Sequence, residues 1–185
     1  MKLTIITPCC RPKNLIKLKE SIKFDLIDKW IIVYDTSKDR RYTMQFQDNS
    51  KILELECNTP GVAGHPQRNY GISHVEDGYI YMLDDDNIIH PDFWKICITF
   101  EMPYFYTFDR TTKWAHFGNN ISIGNIDTAM FCVNKEHIKN IRWQEDKYQA
   151  DGFFIIDINK ANKHLHKYIN IIAAYYNFLG KTPTL

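Results

Sequence analysis

The sequence predicts an α/β fold with a mostly parallel central sheet flanked by helices. Three observations lead there. Short apolar runs rich in β-forming residues recur through the first hundred residues, separated by a segment of helical period and by polar loops. The fourth run, Tyr-Ile-Tyr-Met-Leu at 79–83, stops against Asp84-Asp85-Asp86-Asn87, so a buried strand ends where the chain meets solvent. The bulk composition is that of a globular chain: 185 residues, 44% hydrophobic and 14% aromatic, enough for one domain with a sizeable core.

Residues 3–7 form the first strand, ended by Pro8 and the Cys9-Cys10-Arg11-Pro12 loop. Leu15, Leu18 and Ile22 then recur at helical spacing with lysines opposite, predicting a helix over 13–24. Strand two spans 30–34 and ends at Asp35-Thr36-Ser37. Residues 38–50 are polar, a loop or an exposed helix, and 52–56 alternates with period two as strand three. Pro60, Gly61 and Gly64 mark a loop, and Pro66 suits the first turn of a helix carrying Gln67, Arg68, Asn69 and Ile72. After strand four, Pro91 opens a helix over 91–98. The second half is less regular. Strands are expected at 103–108 and 128–133, a helix at 153–158 after the polar stretch 143–152, and a last apolar stretch at 168–174. Repeats, low-complexity segments and linkers are absent from the sequence, so 1–185 reads as one domain, with 1–98 as a nucleotide-binding half and 99–185 as an acceptor-side half.

The net charge of +1 excludes the basic footprint of a nucleic-acid binder. Five cysteines without a Cys-x-x-Cys pair disfavour both a disulfide framework and a zinc site. No apolar run approaches the ~18 residues of a membrane span, and the first strand is too short for a signal-peptide core, so a cytoplasmic setting is expected.

The three aspartates carry the chemistry. Side chains alternate along an extended chain, so Asp84 and Asp86 share one side and Asp85 takes the other. Two carboxylates together at a strand end suit a hard divalent cation, magnesium or manganese, which would relieve their mutual repulsion. In an open α/β sheet the ligand crevice lies outside the carboxyl ends of the strands, where Asp35 and Arg11 also fall. A plain turn remains the alternative for Asp35, a surface helix position for Arg68 and a solvated guanidinium for Arg11.

Four segments together resemble the GT-A fold glycosyltransferases, family 2-like: Ile-Thr-Pro-Cys-Cys-Arg-Pro at the N-terminus, Ile-Ile-Val-Tyr-Asp-Thr-Ser at strand two, Pro-Gly-Val-Ala-Gly-His-Pro-Gln-Arg-Asn before strand four, and Met-Leu-Asp-Asp-Asp-Asn. The last is similar to the D-x-D motif and to the D-D-D-N of glucuronyltransferase-type enzymes. Ile-Asp-Thr-Ala-Met-Phe and the stretch 143–154 are similar to acceptor-side segments of small enzymes of this kind. The resemblance covers about residues 5–154, and the Gly64-His65-Pro66 sequence departs from it.

The resemblance implies a GT-A (Rossmann-like) nucleotide-diphospho-sugar transferase. Such an enzyme moves a sugar, with inversion, from a UDP-sugar to a hydroxyl of a glycan, protein or small molecule, with Mn2+ or Mg2+ as cofactor. It implies Asp86 as the direct metal ligand and Asp84 on the ribose or a metal-bound water. Asp35, Pro8, Arg11 and Arg68 fall with the donor. Asp85 faces it too, or serves as a structural hydrogen-bond acceptor. A C-terminal histidine often reaches the metal in such enzymes, which nominates His164, with His166 beside it. The general base is one of Glu145, Asp146 and Asp151; the Ala-Asp-Gly segment favours Asp151, and Glu145-Asp146 is similar to the E-D pair of other members. Trp114 and Trp143 can stack on a sugar or pack in the core. Asp35→Ala and Arg68→Ala are expected to weaken nucleotide binding without unfolding the chain. The competing readings are a non-catalytic nucleotide-sugar or carbohydrate-binding module and a phosphohydrolase using Asp84 and Asp86.

Overall fold

The computed structural model describes residues 1–37, 41–111 and 117–180. Within them β1 (Leu3–Cys9) is followed by a 3-10 turn (Pro12–Asn14) and α1 (Leu15–Glu20). Next come β2 (Lys29–Asp35), β3 (Ile52–Cys57), α2 (His65–Ser73) and β4 (Tyr79–Met82). A two-residue β5 (Ile88–Ile89) and α3 (Pro91–Cys97) lead to β6 (Phe105–Thr111). A second 3-10 turn (Thr128–Met130), β7 (Phe131–Asn134), α4 (Lys135–Ile138), α5 (Ala150–Ala161) and β8 (His166–Tyr175) complete the order.

The strands form one sheet in the order β3-β2-β1-β4-β7-β6-β8-β5. The first four are mutually parallel. β7 is antiparallel to β4 and to β6, and β8 is parallel to β6, so only β7 and β5 run against the rest. The central strands are buried on both faces, which is why they read as unbroken apolar runs. In β2, Trp30, Ile32 and Tyr34 enter the core beneath α1 and α3, while Ile31 and Val33 enter the core beneath α2 and α5. Helix α2 reaches the sheet at Gly71, where a Cβ would stand 2.6 Å from Ile6 Cγ2. No helix among the described residues is long and apolar enough to cross a membrane.

The differences from expectation have local causes. The first helix ends at Glu20 rather than 24 because Ser21 is put to other use. Its hydroxyl donates to the Leu18 carbonyl at 2.7 Å, and its carbonyl accepts from Trp94 Nε1 at 3.0 Å. Residues 128–130 form a 3-10 turn instead of strand because Asp127 accepts from the Thr128 N–H and starts a turn there. Helix α5 begins at Ala150 rather than 153, so Asp151 lies in its first turn and Gln149 is the capping position. The described part of the polar segment, 41–50, is irregular. It is tied to the sheet edge by Glu54, whose carboxylate accepts from Gln45 N (2.8 Å), Phe46 N (2.9 Å) and the Tyr34 hydroxyl (2.7 Å).

Candidate functional site

A cleft of about 650 Å³ opens at the carboxyl ends of β1, β2 and β4. Pro8, Arg11, Asp35, Arg68, Asp84, Asp85, Asp86 and Asp151 all line it. Arg110, Asp127 and Tyr176 line it as well; Asp127 belongs to the Ile-Asp-Thr-Ala-Met-Phe segment, and no motif pointed to Arg110 or Tyr176.

The aspartates sit in a tight turn closed by the Asn87 N–H on the Asp84 carbonyl at 3.1 Å. The turn keeps the two-sidedness that alternation predicts. The side chains of Asp84 and Asp86 are 22% and 15% exposed and face the cleft, whereas Asp85 is 2% exposed and turns inward. Asp85 organises the first loop. Its Oδ2 accepts from the backbone N–H of Cys10 and of Arg11, each at 2.7 Å, and its Oδ1 from Arg11 Nε at 2.8 Å and Nη2 at 2.5 Å. Asn14 Nδ2 adds a bond to its carbonyl at 3.0 Å. Arg11 also reaches Asp86 Oδ2 at 2.9 Å. The Asp86 carboxyl is pushed up to about 6, chiefly by burial and then by the neighbouring Asp84 charge.

The other side of the turn is fixed by the C-terminal segment. Leu179 N donates to the Asp86 carbonyl at 2.8 Å and Asn177 N to Asn87 Oδ1 at 2.7 Å. That strap carries Tyr176 to the cleft wall.

Arg68 is not a surface helix residue; it is 3% exposed. It ion-pairs with Asp84 Oδ1, donates to the Ala63 carbonyl at 2.6 Å, and lies 4.8 Å from the centre of the Trp143 ring. His65 accepts from its Nη1 through Nδ1 at 3.0 Å and stacks on Trp143 at 5.3 Å. Burial, and then the Arg68 charge, lower His65 to about 4, so it is neutral at pH 7. Gly64 stands before them with φ +78, and a Cβ there would lie 2.8 Å from Pro8 Cβ. Only glycine fits at that close approach of the two donor-side loops. The Gly64-His65-Pro66 departure thus builds the seat of Arg68.

This burial adds a stability cost to the expected effect of Arg68→Ala on nucleotide binding. The substitution is expected to cost about 3 kcal/mol in urea unfolding, the low end for a broken buried pair because Asp84 is partly exposed. An unchanged unfolding midpoint would contradict it.

Asp35, at the end of β2, accepts from Ser37 Oγ at 2.6 Å and from Gln67 Nε2 at 3.3 Å. Asp151 faces the aspartate turn from the first turn of α5. Its Oδ1 accepts from the Gly152 N–H at 2.7 Å. Burial, then the charge of Asp127, push its carboxyl up to about 6.

Three nominated acids and bases are not brought to the cleft. Glu145 accepts from Asn69 Nδ2 at 2.9 Å outside it, and Asp146 has a side chain 79% exposed. His164 is exposed, with φ +71, just before β8. Because β8 runs in the direction of β6 and β4, its start lies at the end of the sheet opposite the aspartates. His166 instead bonds Thr107 Oγ1 at 2.7 Å. Trp143 is a core residue, 2% exposed, and Trp114 lies outside the described residues.

With this architecture the chain has the GT-A fold. It superposes on S. aureus TarS 1–349 in complex with UDP-GlcNAc with a TM-score of 0.73 and 13% identity, covering 95% of this chain and 58% of that one. It also matches glucosyl-3-phosphoglycerate synthase from Mycobacterium tuberculosis in complex with Mn2+, UDP and phosphoglyceric acid (TM-score 0.61, 12% identity, 94% and 69% covered). HddC from Yersinia pseudotuberculosis matches with a TM-score of 0.58 and 14% identity, covering 95% and 92%. The chain thus spans about three fifths of TarS 1–349. No protein-family model and no curated protein matches the sequence.

Proposed function

We infer that the chain is a metal-dependent, inverting glycosyltransferase that moves a sugar from a UDP-sugar to a hydroxyl acceptor. One observation carries this reading: two cleft-facing carboxylates at the end of β4 are opposed, across the same cleft, by a third whose proton affinity is raised towards neutrality. Structures of the same fold that hold UDP-GlcNAc, or UDP with Mn2+, support the choice of donor and cation.

Among the described residues no three His, Cys, Asp or Glu side chains converge on one point. The donor set still fits Mn2+ or Mg2+, which take one or two carboxylates and draw their other ligands from phosphates and water. The salt bridges to Arg11 and Arg68 engage one oxygen each of Asp86 and Asp84, leaving the other to the cation. A bound cation would neutralise charge developing on the departing diphosphate. Asp35 would accept from the base or ribose, and Pro8 and Arg11 would form the wall against the diphosphate, held by Asp85. Asp151 would take the proton of the attacking hydroxyl. On this reading residues 1–98 serve the donor and 99–185 the acceptor.

Calorimetry tests the reading. UDP is expected to bind at least about tenfold tighter with Mn2+ than with chelator, the least that one charge-assisted contact to the diphosphate should give. Equal affinity in the two conditions would sink it. Mass spectrometry of slow hydrolysis across a panel of nucleotide-sugars would identify the sugar.

A further inference from the structure

Three guanidinium groups line the cleft, and two of them are bound to the aspartate turn, although Nε of Arg68 is also a buried donor without an acceptor. Arg11 is forked onto Asp85, and Arg68 is locked between Asp84, His65 and Ala63. Arg110, at the end of β6, is held differently. Its side chain is only 8% exposed; Nη1 lies 2.5 Å from Asp127 Oδ2, and Cζ lies 3.6 Å from the centre of the Tyr176 ring. The N–H bonds do not run along the contact with Asp127. Nε and Nη1 are buried, and neither finds a hydrogen-bond acceptor. A buried donor left so costs about 1–3 kcal/mol, and native proteins seldom keep one without a use. A ring stack and the ion pair with Asp127 fix the plane of this guanidinium, while its buried Nε–H is left without an acceptor.

Its place in the sheet says which part of a ligand it meets. β6 lies two strands from β4 on the side away from β2, so Asp35 and Arg110 stand on opposite flanks of the aspartate turn. A donor bound along Asp35 and the aspartates leaves Arg110 to the molecule that enters beside Asp151. Asp127 links the two, pairing with Arg110 and lying close enough to Asp151 for their charges to interact.

We propose that Arg110 binds an oxyanion, phosphate or carboxylate, carried by the acceptor, so that the acceptor is an anionic polyol rather than a neutral sugar. This rests on the transferase reading for the word acceptor alone; the anion site stands on Arg110 itself. A planar fork suits such a group bidentately, and Asp127 would orient it from behind.

The test titrates inorganic phosphate into the metal-free protein and follows the Arg110 Nε–H resonance. Saturable binding is expected in the wild type, weakened at least about tenfold in Arg110→Gln, as for a lost hydrogen bond to a charged group. Arg110→Lys keeps the charge beside Asp127 without the fork. It is expected to bind phosphate more weakly than wild type, and it carries the test if the glutamine variant does not fold. UDP affinity with Mn2+ should stay within about twofold of wild type in either variant, well short of the loss of such a bond. Phosphate binding that is absent from the wild type, or equal in wild type and variants, would overturn the proposal. So would a parallel loss of UDP affinity, which would give the guanidinium to the donor's diphosphate. Failure of the transferase reading looks different: wild-type protein that does not bind UDP with metal at all.

Discussion

Asp151→Asn is expected to abolish sugar transfer while leaving metal and UDP binding nearly intact. The amide has the shape of the carboxylate, and its oxygen can still accept from the Gly152 N–H. What it loses is the ability to take a proton, a contribution of ~10²–10⁴ in rate. Asp151 is the nominated base that lines the cleft, so Glu145→Gln and Asp146→Asn should turn over like wild type. Turnover of the three variants at saturating donor decides the matter, with binding checked by calorimetry. If Asp151→Asn keeps more than about a tenth of wild-type turnover, the base lies elsewhere. A base must be deprotonated to act, so the rate should fall as pH drops through about 6, the value to which burial and Asp127 raise this carboxyl. The limb should vanish in whatever activity Asp151→Asn retains.

The second large effect is expected at Asp86, and it has two signs. Asp86→Asn removes the proposed direct metal ligand, so Mn2+ should no longer tighten UDP. Transfer should fall by about 10²-fold or more, since leaving-group stabilisation by a metal is worth several kcal/mol. The metal-free protein should become more stable. A carboxyl raised to about 6 in the fold gives its full stability only below its unfolded value of ~3.9 and loses it as pH rises through about 6. At pH 7 the wild type therefore holds an unfavourable charge that asparagine lacks, by an amount on the order of 3 kcal/mol. Urea unfolding in chelator should rank the variant above wild type, and Mn2+ should stabilise the wild type alone. A variant that still shows metal-dependent UDP binding would remove Asp86 from the metal site.

The donor side of the cleft was readable because its residues end apolar runs. Asp35 ends β2, and Asp84 and Asp86 come within four residues of the end of β4; a parallel sheet gathers such ends without further information. Arg110 and Tyr176 were not readable, and Asp127 was readable only as part of the Ile-Asp-Thr-Ala-Met-Phe segment. They meet because β6 pairs with β7 and with β8, partners distant in sequence whose register no local pattern reports. A faint signal existed: Asp109 and Arg110 are a charged pair of residues directly after the aromatic run at 104–108. His164 was nominated for nearness to the C-terminus, but strand direction governs which end of the sheet a residue meets. A strand entered from α5 and laid parallel to β6 must begin at the far end.

The aspartate turn is a clasp between distant parts of the chain. Asp85 is bonded to Cys10, 75 residues before it, and Asn87 to Asn177, 90 residues after it. The β-strand leading to the turn can pair early, but the turn itself is fixed only when both distant segments arrive, so its closure belongs late in folding. During synthesis the cleft cannot take its final shape until Leu179 has cleared the ribosome. A growing chain therefore carries its aspartates unarmed.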